Sequence, residues 1–487
     1  MKNRLDSRET VTSNLLWRLA ERFGAKGVEF IVSIILARLL APEVYGTIAL
    51  VTVFITILQV FIDSGLGNAL IQKIDTDDTD YSTVFYFNVS FCLILYLLLF
   101  IAAPFIAQFY NDTSLTSIVR VLGFTLLLSG VKNIQQAYVS RNMLFRHFFY
   151  ATLGGTVGAA IIGIYLAYRG CGVWALVAQQ IFNVALDTII LWVTIKWRPK
   201  RLFSFNRLKT LFSFGWKLLL SSLIEVVYND IRQLIIGRMY SKEDLAYYNR
   251  AKQFPQLITS NINTSINSVL FPAMSSAQEN PERVKAMTRR AIKTSTYIMA
   301  PMMMGLAACS RTVVSILLTD KWIPCVPYLV IFCITNMFFP IHTANLNAIK
   351  AMGRSDLYLR LEILKKVVGI TALIITMHIS VMAMAYSLLF VSVASQIINS
   401  WPNKKLLDYS YLEQLKDILP GVLLAVGMGL IVYSVEYIGL NTWLTLLIQA
   451  LLGVLIYVAG SKIFHLDSFE YLLDILKNFF KAKHIEK

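Results

Sequence analysis

Five ionisable residues near the start of the chain, Arg18, Glu21, Arg22, Lys26 and Glu29, share one helical face. With Arg18 at zero and about 100° per residue, all five fall within an arc of roughly 140°. Pointed at lipid they would cost about 2.5 to 3.5 kcal/mol apiece, or on the order of 12 to 17 kcal/mol together, more than the whole stability of a typical fold. They must face protein, water or headgroups. A helix lying in the membrane interface would also satisfy them. The uncharged run from Phe30 to Ala37 is too short to cross a bilayer, however, so part of the charged face is expected at membrane depth.

A second stripe repeats the arrangement. Lys217, Ser221, Glu225, Tyr228 and Arg232 fall within roughly 80° of one another on a helix. Arg250, Asn261, Ser265 and Ser268 line one face of the next span, and Lys132 stands near Gln135 and Gln136 in an earlier one. Guanidinium and ammonium groups suit phosphate, while amides and hydroxyls offer what sugars need. Together they fit a lipid-linked glycan whose headgroup crosses a cleft while its tail stays in the bilayer. The candidate contacts are Arg18, Arg22, Lys26, Lys132, Lys217, Arg232, Arg250 and Asn261. Asp63 and Glu225 are candidates for coupling to a proton or a sodium ion, because a carboxylate in low dielectric can change charge state or capture a cation. An internal ion pair is the plainer reading of both.

Other motifs carry little. Asp75-Thr76-Asp77-Asp78-Thr79-Asp80 resembles a metal-binding acidic motif of glycosyltransferases but reads here as a solvated turn. The five histidines lack zinc spacing, the five cysteines read as packing residues, and neither a P-loop nor G-x-S-x-G occurs. Neither an ATPase nor a hydrolase is indicated, and no cofactor is expected.

These residues must be positioned by membrane helices. Hydrophobic residues make up 56% of the 487, charged residues 15%, and the mean hydropathy is +0.60. Fourteen apolar stretches are expected to span, at about 13–38, 44–72, 82–109, 115–140, 148–168, 172–195, 210–237, 246–273, 291–318, 323–349, 358–379, 381–400, 417–437 and 442–464. The fold class is all-α and polytopic. A net charge of +16 could suggest nucleic acid, but the lysines and arginines sit on one side. One set of connections holds only Arg38, Arg120, Arg169, Arg238, Lys242 and Lys321, and the denser clusters fall on the other. This is the positive-inside pattern, which puts both termini in the cytoplasm, and no removable signal peptide is expected.

Trp17-Arg18, Arg38 and Glu43 recur about 200 residues on as Trp216-Lys217, Arg238 and Glu243, a repeat that restarts directly after the charged connection from Lys196 to Lys209. Six spans separate the copies, so both enter the membrane in one direction and imply a pseudo-twofold axis along its normal. The expected parts are a first lobe at 1–196, a loop at 197–209, a second lobe at 210–400, and a final pair of spans with a basic amphipathic tail at 401–487. Prolines 104, 255, 272, 301 and 340 are expected to kink spans, and Gly154, Gly155, Gly158 and Gly163 to allow close helix packing.

Ala37-Arg38-Leu39-Leu40-Ala41-Pro42-Glu43-Val44-Tyr45-Gly46, followed by Asp63-Ser64-Gly65-Leu66-Gly67, resembles the opening of bacterial polysaccharide transporters, the Wzx-type flippases of the MOP superfamily. That resemblance implies movement of undecaprenyl-pyrophosphate-linked oligosaccharide across a bacterial inner membrane by alternating access of two lobes. Its partners would be the lipid-linked substrate, membrane lipids, and the polymerase and glycosyltransferases of glycan assembly. Three alternatives stand beside it. A multidrug cation antiporter would want an acidic cavity, a lipid II flippase shares the cationic one, and a membrane glycan polymerase or ligase usually carries a large outer loop.

Overall fold

The computed structural model describes residues 8–63, 65–73 and 75–485; the side chains of 8–23, 72, 214, 265, 475–476 and 479–485 lie outside that description. Eighteen α-helices follow one another, and no strand occurs among the described residues. In hydrocarbon a helix is the open-chain element that satisfies its own backbone groups, so an apolar chain of this kind has no other regular choice. Each of the fourteen expected stretches is helical. Among the described residues nine helices are long and apolar enough to cross a membrane, or eleven if each of two bent pairs is one span. The stretches in α1 (Arg8–Leu39) and α14 (Ser355–Thr376) fall short of that measure because of the charges they carry, and that in α9 (Lys242–Ser275) because of its many amides and hydroxyls.

Two spans bend sharply at residues other than proline. One lies at Phe214 within α8 (Phe205–Met239), where the axis turns by 49°, and the other at Cys309 between α10 (Pro281–Ala308) and α11 (Ser310–Leu318), where it turns by 66°. A third interruption separates α2 (Pro42–Asp63) from α3 (Leu66–Gln72), with Gly65 as the N-cap of the latter.

The chain forms two compact units, Met1–Ala246 and Tyr247–Lys487. In the first, α4 (Asp78–Phe109) packs on α5 (Ser114–Arg141), and α6 (Phe145–Tyr168) packs on α1 and α7 (Val173–Thr194). The expected glycine face is real: a side chain on Gly155 would meet Asn183 and Asp187 of α7, and one on Gly158 would meet Leu186. Packing also gathers α8 into this unit, against α2, α3 and α4. Leu208 and Leu211 of α8 share one apolar core with Leu70, Tyr81, Ile134 and Leu191. Leu93, Leu97, Ile101 and Phe105 of α4 form an exposed, wholly apolar face suited to lipid.

In the second unit α10 packs on α12 (Val326–Met337), α13 (Phe339–Ala351) and α16 (Tyr411–Ser434). Around it stand α15 (Val381–Leu406), which packs on α14, and α17 (Thr442–Ile463), which packs on α16. The expected tail helix is α18 (Asp467–Ile485), tied to α10 by Lys293 Nζ to Asp467 at 2.7 Å and by Arg290 over the Tyr471 ring at 4.7 Å.

Candidate functional site

The polar stripe of α8 runs from open to buried along one helix. Lys217, Ser221 and Glu225 are exposed, Tyr228 is half-buried, and Arg232 is buried with 7% exposure. Its Nε and Nη2 have no hydrogen-bond partner among the described residues. A guanidinium in that condition is costly, because each buried unpaired donor forfeits its hydration without compensation. The side chains of Arg18 and Arg22 lie outside the described residues. Lys26 is exposed and pairs with Glu29 at 2.6 Å, one turn along α1.

Beyond Arg232 the α8 stripe is closed off. A Cβ on Gly46 would stand 1.9 Å from the Lys242 carbonyl oxygen, and one on Gly237 would stand 1.9 Å from Leu50 Cδ2. Lys242 Nζ reaches Asp112 at 2.6 Å and Glu43 at 3.8 Å, and the Arg238 guanidinium lies 5.1 Å from the centre of the Phe109 ring. Partial burial pushes the Asp112 carboxyl up, but the Lys242 ammonium and the Ser114 hydroxyl and amide outweigh it and hold the group below the usual carboxylate range. Glu43 and Lys242 belong to the two copies of the sequence repeat, and α2 and the start of α9 meet where those copies begin.

Asp63 ends α2 and is exposed. Both its oxygens accept from Gln59 Nε2 at 3.2 Å, and Oδ1 also accepts from Asn133 Nδ2 at 3.2 Å; Asn133 Oδ1 accepts in turn from Asn88 Nδ2 at 3.4 Å. Lys132 donates to Asp187 Oδ2 at 3.0 Å. Sequence reasoning named Asp63 and Lys132 but missed Asp187, Asn88 and Asn133. The signal for Asp187 was available: it is the one charged residue in the apolar run of α7.

In the second unit Arg250 is buried, donates to Gln253 Oε1 at 2.9 Å, and lies 5.1 Å from the centre of the Trp322 ring. Asn261 is exposed and donates to Leu257 O of its own helix at 2.8 Å. The densest polar feature there is uncharged and was not foreseen. Asn345 Nδ2 on α13 donates to Gln414 Oε1 of α16 at 2.8 Å and to Ser400 Oγ of α15 at 3.2 Å. Its Oδ1 accepts from Asn403 Nδ2 of α15 at 2.6 Å. Thr343 and Asn347 add hydrogen bonds from α13 to Asn263 and Asn267 of α9.

The acidic run departs from the solvated turn expected of it. Asp77 and Asp80 form a capping box at the start of α4, and Asp80 is fully buried with Lys73 at 2.7 Å and Arg207 at 3.3 Å. Asp77 also binds Arg207, whose hydrogen bond holds the Asp77 carboxyl below the usual range, and Asp78 binds Lys200 at 2.5 Å. The run is a clasp for the connection that leads into α8. Three of its carboxylates, already partnered, would be a poor metal site, and no cluster of three or more His, Cys, Asp and Glu among the described residues could hold a metal ion.

Apolar helices with an exposed lipid-suited face, interrupted spans and a charged stripe along α8 define a multi-pass membrane transport protein. The family model for polysaccharide biosynthesis proteins matches residues 35–327, and the chain belongs to that family. It is 24% identical over 411 residues to the teichuronic acid biosynthesis protein TuaB of Bacillus subtilis (strain 168), covering 82% of this chain and 84% of that one. It is 25% identical over 315 residues to the succinoglycan biosynthesis transport protein ExoT of Rhizobium meliloti (strain 1021), covering 64% of each. Its fold is that of the lipid II flippase MurJ in an inward closed conformation, with a TM-score of 0.75 over 93% of this chain and 99% of that one at 16% identity.

Proposed function

We propose that this protein flips an undecaprenyl-pyrophosphate-linked oligosaccharide, the repeat unit of an O-antigen, capsule or exopolysaccharide, from the cytoplasmic to the periplasmic leaflet of a bacterial inner membrane. It is a transporter and not an enzyme. It works by alternating access, with both termini in the cytoplasm. The repeat makes residues 1–196 and 210–400 the two lobes, joined by 197–209, with 401–487 appended; in the present arrangement α8 packs with the first lobe.

The observation that carries the reading is Arg232. A buried guanidinium with two uncommitted donors calls for an anion able to accept in a fork, and a pyrophosphate does so. Lys217 and Glu225, exposed along the same helix, mark the way to it, and Lys217 supplies the approaching charge. Amides and hydroxyls such as Asn261 and Ser221 suit the sugars. Family membership and the succinoglycan transport relative support the same substrate class.

The test uses the full chain in vesicles with a fluorescent undecaprenyl-pyrophosphate oligosaccharide. Arg232→Glu abolishes translocation while the protein still inserts, and Arg232→Lys retains part of it, since a lysine supplies charge without the fork. Normal translocation by Arg232→Glu refutes the assignment. Transport of a cationic drug or of lipid II in place of the oligosaccharide refutes the substrate.

A further inference from the structure

The first unit carries an unbalanced charge among the described residues of its apolar helices. Asp63 of α2 and Asp187 of α7 are two carboxylates served by one ammonium, that of Lys132 on α5, which pairs with Asp187 at 3.0 Å and lies within electrostatic reach of Asp63. Asp187 is only 7% exposed, and its Oδ1 has no hydrogen-bond partner among the described residues. Among the described residues the cluster is one positive charge short, and in low dielectric that shortfall must be filled or tolerated at a cost.

The surroundings select what fills it. Gln59 and Asn133 present N–H donors to Asp63, and Asn133 spends its own oxygen on Asn88, so the described neighbours bonded to Asp63 offer it donors and not the oxygen ligands a metal needs. Of the helices packed on α2, α4 brings Cys92 and α5 brings Lys132 within electrostatic reach of Asp63, while α7 brings Asp187 to Lys132; among the described residues α3 and α8 give Asp63 no hydrogen bond or ion pair. Asp63 is open to water and Asp187 is not. Asp63 Oδ1 accepts two hydrogen bonds and Oδ2 one, which leaves Oδ2 the freer oxygen.

We propose that Asp63, Lys132 and Asp187 form a proton-exchange site that drives transport, with Asp63 loading and releasing the proton and Lys132 remaining on Asp187. This rests on the transport reading above. Hydronium gives its proton to Asp63 Oδ2, an O–H bond forms, water departs, and the cluster becomes neutral; release reverses each change.

The experiment follows the protonated-carboxyl infrared band of the full chain in lipid vesicles through a pH titration. The wild type shows a titrating band that is lost in Asp63→Asn, kept in Asp187→Asn, and restored in Asp63→Glu, which guards against misfolding as the cause of the loss. A band that survives in Asp63→Asn, or that disappears only in Asp187→Asn, overturns the proposal. Displacement of the band by sodium at constant ionic strength also overturns it, in favour of a metal ion. Failure of the wild type to move any oligosaccharide would sink the transport reading and leave this titration standing, so the two failures are distinguishable.

Discussion

Replacing Gly46 by alanine should pry open the contact between α2 and the start of α9. The added Cβ would stand 1.9 Å from the Lys242 carbonyl oxygen and 2.5 Å from its carbon, where ordinary contact begins near 3.4 Å. Backbone cannot rotate aside as a side chain does, so the two segments must part by about 1.5 Å. That movement carries Lys242 Nζ out of hydrogen-bond range of Asp112, now 2.6 Å away. Overpacking of backbone against backbone lies in the upper part of its usual range, about 2 to 3 kcal/mol, the partly exposed ion pair adds at most about 1, and the helical preference of alanine over glycine returns about 1. The net, about 1 to 3 kcal/mol, is roughly a 5- to 150-fold rise in the opening equilibrium. Amide hydrogen exchange of peptides covering 42–50 and 236–246 reads that factor directly where exchange tracks opening. Gly427 of α16 is the control: nothing lies within 4 Å of its Cβ position, so alanine there should leave exchange unchanged or slow it. Unchanged protection in Gly46→Ala, or an equal loss in Gly427→Ala, refutes the reasoning.

The same contact should respond to acid. The Asp112 carboxyl is held below its ordinary value, so its contribution is complete above about pH 4 and fades as pH falls through the lower folded value. Exchange in 236–246, corrected for its intrinsic rate, should rise below about pH 4 in the wild type, whereas Asp112→Asn should show the raised rate throughout and no acid dependence. Asp80→Asn should lower the thermal unfolding temperature in detergent by the equivalent of about 1 to 3 kcal/mol, since Lys73 and Arg207 lose a buried partner but are themselves exposed enough to rehydrate. An unshifted unfolding temperature would deny the clasp its structural role.

Helix existence was legible because hydrocarbon allows little else, and the bounds of α5, α7 and α17 fall within two residues of those expected. The breaks were not. Phe214 and Cys309 lie inside expected spans, and a bend there is set by what the helix packs against, which no periodicity records. Close approach of Gly65 to Gly215 is such a determinant, visible only when both chains of contact are in place. Of the candidate contacts, Arg232 was legible as a charge that lipid would refuse, but not as a guanidinium left with spare donors. Lys132 read as a substrate ligand and is found on Asp187, fifty-five residues away in sequence. The acidic run misled because local composition favours a solvated turn, whereas the basic segment that buries Asp80 comes more than a hundred residues later.

The uncharged knot formed by Asn345, Ser400, Asn403 and Gln414 bears on how the protein is made. Helices α13, α15 and α16 leave the ribosome in that order, so Asn345 can pair with Ser400 and Asn403 once α15 is inserted, while the bonds that Asn345 and Ser400 make to Gln414 wait for α16. Completion of this knot therefore waits on residue 414. A nascent chain halted before that point should linger at the translocon, with its waiting amides shielded by whatever lipid-embedded chaperone is at hand.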